Sequence, residues 1–368
     1  MDAHVTARLG RLALLYGTRP QIVKASLLAE GLREDWEVLC VDTGQHYDWE
    51  MKGLHYEQLG ARPPDLFLEV RSGDHAQQTA AVLMRASEAL ADFQPDVAVV
   101  IGDTNSTLGC ALAAAKQRIY LVHVEAGLRA RDLQMAEEIN RRVVDEISLL
   151  LCTPSRRSTE YLQERASPTQ TVAFTGDVSR DVLEKARLSP NVPTAPWEAH
   201  GISRPFALAT LHRAELTASR ESLTAVLRGL GRLPCSVFFP SHPRTVAAIE
   251  QHGLGTSVPA NVVFAAPVGY LDLVAWTQNA DVVVTDSGGL QREAFWLGVP
   301  CITVRGETEW VETVEEGANV LVDPAEGDRL ADASTEHPGR RTPWDGDAYG
   351  SGRAVAEVRE AVRSSFVR

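Results

Sequence analysis

Short runs of apolar, mostly β-branched residues alternate with helix-patterned stretches along nearly the whole chain, and few folds accommodate that rhythm. The runs lie near 12–16, 37–42, 97–101, 120–124, 149–153 and 171–174, then near 206–210, 236–240, 261–264, 281–285, 300–304 and 319–322. Apolar runs without polar alternation read as strands buried on both faces, and the helices between them supply the cover. The expected class is α/β, with doubly wound parallel sheets. Between the two series, Pro190, Pro193, Pro196 and Pro205 fall where periodicity lapses, which reads as a linker. This predicts two Rossmann-like domains, 1–187 and 205–348, joined by 188–204, with the interdomain cleft as the expected binding site. The polar, Gly- and Pro-containing stretch 323–348 reads as loop-rich. Gly352–Phe366 then reads as an amphipathic terminal helix with Val355, Val358, Ala361 and Val362 on one face.

A chain of 368 residues is long enough for two domains, and 44% hydrophobic with 23% charged residues is a globular composition. The net charge of −13 argues against a general binder of nucleic acid or anionic membrane, though not against a locally basic pocket. No segment approaches the ~20 apolar residues of a membrane helix. Leu12–Tyr16 is too short for a signal-peptide core and reads as a first strand. The five cysteines are scattered, odd in number and never in a CxxC pair, so free thiols in a reducing cytoplasm are expected and no zinc pattern is visible.

Chemistry-bearing residues recur at strand tips, where open α/β sheets bind ligands. Asp103 follows the run Val97–Ile101, and Glu125 follows Tyr120–Val124. Each could simply cap the next helix, but two in succession point to a shared crevice. Gly17-Thr18-Arg19-Pro20 links a strand to a helix, and Arg19 with the free amides of that turn could hold a phosphate, with Lys24 one turn further on. Thr285-Asp286-Ser287-Gly288-Gly289 opens another helix, with two glycines and a hydroxyl to approach an anion, and Glu293 beyond them suits a ribose diol. His212-Arg213 follows a strand and suits a pyrophosphate. His242 is a weaker candidate of the same kind. The absence of GxxxxGK[ST], GxSxG and GxGxxG patterns excludes a P-loop hydrolase, a serine hydrolase of that class and a dehydrogenase.

The ordered motifs GTRPQIVK (17–24), TGQHYDWEM (43–51), GDTNST (102–107), HVEAGLR (123–129), EEINR (137–141), TLHR (210–213), DSGGLQREA (286–294) and TEWVETVEEG (308–317) cover almost the whole chain. In them the chain resembles the non-hydrolysing UDP-N-acetylglucosamine 2-epimerases, and within those the branch of archaeal and UDP-diacetamido uronic acid enzymes. The resemblance implies a GT-B fold whose C-terminal helix (349–368) returns to the first domain, a cytoplasmic homodimer, and no cofactor or metal. It implies interconversion of UDP-GlcNAc and UDP-ManNAc, or a close acetamido analogue, through elimination of UDP to a glycal and its re-addition. Asp103, Glu125 and Glu137 match the acid/base carboxylates, with Asp103 expected as the C2 base, and His212 joins the catalytic group. Clustering should raise the pKa of at least one carboxylate. Arg19, Lys24, Arg141, Arg213, His242, Ser287, Gly288, Gly289, Glu293 and Arg305 match substrate-binding positions. Gln21 and Ala136 depart from the usual glutamate and proline, and His75-Ala76-Gln77-Gln78 lacks the arginine of an activator site that Gln45 and His46 partly match. The rival readings are a hydrolysing epimerase releasing N-acetylmannosamine, a GT-B glycosyltransferase and a non-catalytic UDP-sugar sensor.

Overall fold

The computed structural model describes residues 8–44, 62–70, 73–336 and 347–366, without the side chains of Arg19, Pro20 and Asp347. The chain divides into two compact units, one comprising Met1–Glu184 with Gly346–Arg368, the other Lys185–Asp345.

The first unit contains β1 (Arg11–Tyr16), α1 (Arg19–Leu32), β2 (Glu37–Asp42), β3 (Leu66–Phe67), α2 (His75–Phe93), β4 (Val97–Ile101) and α3 (Asn105–Lys116). It continues through β5 (Tyr120–Val124), α4 (Ala136–Ile147), β6 (Leu150–Thr153), α5 (Arg156–Gln163), β7 (Thr171–Phe174) and α6 (Val178–Arg187). Its strands form one parallel sheet in the order β3-β2-β1-β4-β5-β6-β7. Successive strand residues point to opposite faces, so Leu12, Leu14 and Tyr16 enter one core layer and Ala13 and Leu15 the other.

The second unit contains β8 (Phe206–Thr210), α7 (Ala214–Thr217), α8 (Arg220–Gly231), β9 (Ser236–Pro240), α9 (Pro243–Gln251), β10 (Val262–Ala265) and α10 (Tyr270–Asn279). It ends with β11 (Val282–Thr285), α11 (Gly288–Trp296), β12 (Cys301–Thr303), α12 (Val311–Glu315), β13 (Asn319–Leu321) and α13 (Leu330–Glu336). Its parallel sheet has the order β10-β9-β8-β11-β12-β13.

The proline-rich stretch 188–204 packs on the second unit. Ile202 is buried there, Trp197 lies 5.7 Å from Phe206, and His200 lies 4.8 Å from Phe238, which stacks on Trp276 at 3.6 Å. The loop expected from 323 onward is corrected over its first part. Pro324–Arg329 forms a 3₁₀ turn and α13 follows, because Leu330 and Ala333 share one face and fill the core.

The last helix, α14 (Ala354–Phe366), belongs to the first unit. Ala354, Val358 and Val362 recur every fourth residue and pack into the layer that holds Leu28, Leu32 and Trp36. Asp181 caps its start, accepting from the amides of Ala354 (3.0 Å) and Val355 (2.8 Å). Gly31 permits the close approach, since a Cβ there would lie 2.6 Å from Val355 Cγ1.

Candidate active site

In each sheet the strand order reverses once, between β1 and β4 in the first and between β8 and β11 in the second. Ligand crevices form at the carboxyl ends of strands flanking such a reversal. In the first unit those ends carry Gly17-Thr18 and Gly102-Asp103; in the second, His212-Arg213 and Asp286-Ser287.

The turn after β1 corrects one expectation. The amides of Gly17 and Thr18 are not free for a phosphate; both donate to Gln21 Oε1, at 2.9 and 3.1 Å. The other end of the same amide donates to the Ile101 carbonyl (2.7 Å) and Thr107 Oγ1 (3.2 Å). Gln21 therefore ties the first turn to the tip of β4, which needs a side chain that both accepts and donates. The Arg19 side chain, Gln45 and His46 lie outside the described residues.

Past β4 the chain turns at Gly102, whose φ of +69° favours glycine. Asp103 follows, its side chain 28% exposed, and Arg141 donates to it from both Nε (2.9 Å) and Nη2 (2.6 Å). Both bonds fall on Oδ2. Asn140 Nδ2 holds the Asp103 carbonyl at 2.8 Å. Arg141 is thus bonded to a carboxylate of the site, and it is almost fully buried.

Glu125, directly after β5, has a φ of +72°. A non-glycine residue in that region costs about 1–3 kcal/mol and persists where surrounding structure enforces it, commonly at functional sites. Its Oε1 pairs with Lys24 Nζ, and both side chains are about nine-tenths buried. Lys24 thus lies on the carboxylate of Glu125. Asp103 and Glu125 do not face one another as unscreened charges; each has its own cation.

α4 supplies the third carboxylate. Its sequence opens Ala136-Glu137-Glu138, and the two glutamates differ completely. Glu138 is fully buried, bonded to Arg142 Nε (2.8 Å), the Ala130 amide (2.9 Å) and Arg141 Nη1 (3.4 Å). Glu137 is half-buried in the first turn and has no ion-pair partner among the described residues.

In the second unit, the fully buried Asp286 organises the turn after β8, where Oδ2 accepts from the amides of His212 (2.7 Å) and Arg213 (2.8 Å). His212 Nδ1 lies 3.2 Å from Asp286 Oδ1, near enough for an ion pair but not aligned for a hydrogen bond, and its ring is 41% exposed. His242 caps α9, its Nδ1 accepting from the Arg244 amide, with its ring 5.9 Å from that of His212. The guanidinium of Arg213 has no ion-pair partner among the described residues.

Ser287 caps α11, its Oγ accepting from the Leu290 amide at 3.5 Å. A Cβ on Gly288 would lie 3.1 Å from Trp310 Nε1, whereas one on Gly289 would meet nothing nearer than Ser287 Oγ at 3.7 Å. A side chain at Gly288 would crowd Trp310, whereas one at Gly289 would make only ordinary contact. Tyr270 donates its hydroxyl to Glu293 Oε1 at 2.9 Å, and Arg305 pairs with Glu309 at 2.9 Å.

Sequence reasoning assigned no structural role to Gln21, Tyr270 or His123, each of which helps to organise these turns. The last stands inside the apolar run Tyr120-Leu121-Val122-His123-Val124, and a histidine buried in a strand needs partners. It finds Asp145 at 2.7 Å and the Gly102 carbonyl at 2.8 Å.

Two all-parallel α/β units with polar turns at their reversals define a two-domain protein of the GT-B type, the class of its structural neighbours. Residues 31–363 match the model of the UDP-N-acetylglucosamine 2-epimerase family, and the chain belongs to that family of epimerases. It is 37% identical to the UDP-2,3-diacetamido-2,3-dideoxy-D-glucuronate 2-epimerase of Pseudomonas aeruginosa, over 95% of this chain and 98% of that one. The Methanocaldococcus jannaschii UDP-GlcNAc 2-epimerase, solved in complex with UDP-GlcNAc and UDP, matches with a TM-score of 0.85 at 33% identity, over 96% and 99% of the two chains. The Neisseria meningitidis UDP-GlcNAc 2-epimerase bound to UDP-GlcNAc matches with a TM-score of 0.86 at 27% identity, over 96% and 100%.

Proposed function

We propose that the protein inverts C2 of a UDP-linked 2-acetamido sugar, interconverting UDP-GlcNAc and UDP-ManNAc or a close diacetamido analogue. The observation that carries this reading is the anchoring of Asp103. Arg141 takes up Oδ2 through two donors, and Oδ1 has no partner among the described residues. One oxygen is thereby fixed while the other is available to a proton.

In the proposed reaction the Asp103 carboxylate removes the C2 proton, the C1–O bond breaks, and its electron pair leaves with UDP. A C1=C2 double bond remains in an enzyme-held glycal. On the opposite face Glu125 or Glu137 delivers a proton to C2, the double-bond electrons forming the new C2–H bond, and a UDP phosphate oxygen adds to the electron-deficient C1. A C2 proton beside an acetamido group is weakly acidic, so orientation and exclusion of water matter as much as base strength. Arg213 supplies positive charge, and His212 a ring nitrogen able to donate, where the leaving pyrophosphate gains negative charge. Glu293, steadied by Tyr270, takes the ribose hydroxyls. This reading needs no metal or redox cofactor.

Two substrates are distinguished by support from different relatives. UDP-GlcNAc is named for the M. jannaschii protein and a diacetamido uronate for the P. aeruginosa one. We infer a homodimer in the cytoplasm from the same family reading; no helix among the described residues is long and apolar enough to cross a membrane. The test is to incubate the protein with each UDP-sugar and follow the anomeric proton by NMR. Appearance of the manno-configured nucleotide sugar supports the reading, and the faster substrate identifies the class. Release of free N-acetylmannosamine would replace it with a hydrolysing epimerase, and binding without conversion of either sugar would refute it.

A further inference from the structure

We propose that His123 and Asp145 act as a buried positioning pair, holding the turns that carry Asp103 and Glu125 in reactive geometry. The inference rests on the function proposed above.

The ring of His123 is fully buried on β5, and both its nitrogens face acceptors. Nε2 donates to the Gly102 carbonyl at 2.8 Å, and Nδ1 lies 2.7 Å from Asp145 Oδ1. A carbonyl can only accept, so Nε2 carries a hydrogen, and a second hydrogen is held between Nδ1 and the Asp145 carboxyl. The Gly102 carbonyl belongs to the peptide plane whose nitrogen is that of Asp103. The amide of Gly102 is itself held by the Val124 carbonyl at 2.9 Å. β5 thus holds both peptide planes that flank the Gly102 Cα, the second of which leads into Asp103.

Asp145 extends the brace to the other turn. Its Oδ2 accepts from the Gly127 amide at 3.2 Å and from Arg129 Nη2 at 2.7 Å. Gly127, with a φ of +85°, stands two residues after Glu125, which is itself in the left-handed region. Asp145 lies four residues after Arg141, so the same face of α4 grips the Asp103 carboxylate and the histidine beneath it. One helix face and one strand histidine therefore set the separation and orientation of two proton-transfer carboxylates. Such a pair contributes little net stability compared with an apolar replacement, whereas a misplacement of about 1 Å at a reacting group costs on the order of 100-fold in rate.

The experiment compares H123F, H123Q and D145N with wild type in steady-state epimerisation. Glutamine keeps a donor near the position of Nε2; phenylalanine fills the space without one. H123F is expected to lose about 100-fold in kcat with KM within about threefold, and H123Q to recover at least about tenfold of that loss. A folded H123F with near-normal kcat, a loss confined to KM, or H123Q no better than H123F would overturn the proposal. Should H123F fail to fold, selective ¹⁵N-histidine NMR of wild type decides. Hydrogen on Nε2 of His123, with an Nδ1 signal that shifts in D145N, supports the pair; an Nε2 without hydrogen, or an Nδ1 signal unchanged in D145N, overturns it. Should wild type turn over neither UDP-sugar, the proposed function fails, while the same spectrum still judges the pair.

Discussion

Gln21 has two amides on one side and a carbonyl and a threonine hydroxyl on the other, and only a primary amide satisfies both. Gln21→Ala would leave the buried amides of Gly17 and Thr18 unpaired and is expected to destabilise the first unit by about 1–3 kcal/mol, read from denaturant unfolding. Asp103→Asn tests chemistry instead. It keeps the shape beside Arg141 but loses the proposed base, so kcat should fall about 10²–10⁴-fold with little change in KM. Asp145 carries a pH prediction. Burial disfavours its charge, but the His123 hydrogen bond and the charges of His123 and Arg129 outweigh this and hold its carboxyl below the ordinary 3.8. Its contribution is therefore complete above the unfolded value near 3.8 and is lost as pH falls from there through the lower folded value. Unfolding free energy of D145N should depend less steeply on pH below about 4 than that of wild type; equal slopes would contradict this.

At the scale of elements, α14 shows how far a local pattern reaches. The spacing of Val358 and Val362 marks the helix and its apolar face, but its contact with Gly31 joins residues far apart in sequence, which no local pattern encodes. Removing residues 354–366 would uncover Leu28, Leu32 and Trp36. The lost burial is about 1.5–3 kcal/mol for each large side chain, so the truncated protein should melt well below the full chain or fail to fold. The strand runs were legible because strands buried on both faces are apolar throughout, and the turns were legible because glycine and acidic residues punctuate them. Stretch 188–204 was not, since its prolines erase periodicity while Trp197, His200 and Ile202 still find the second core. The strand-tip positions of Asp103, Glu125, His212 and Ser287 were legible as motifs. Their pairings were not: Gln21 with Ile101, Arg141 with Asp103 and Tyr270 with Glu293 each join different elements.

For the molecule as a whole, the thiols report the integrity of both units. Burial pushes Cys40 up to about 11 and Cys152 and Cys301 up to about 12, and raises Cys110 as well. Cys235 is only half-buried, and burial raises it too. Alkylation followed by intact mass should therefore modify Cys235 first and the remaining four only on unfolding. Early labelling of Cys110 or Cys152 would contradict the packing of the first unit. The central claim concerns the C2 proton, and epimerisation carried out in deuterated water tests it most directly. Deuterium should enter at C2 of the UDP-sugar as it inverts, and Asp103→Asn should abolish that entry. Inversion with the C2 proton fully retained would contradict removal of the proton to a base exchanging with solvent.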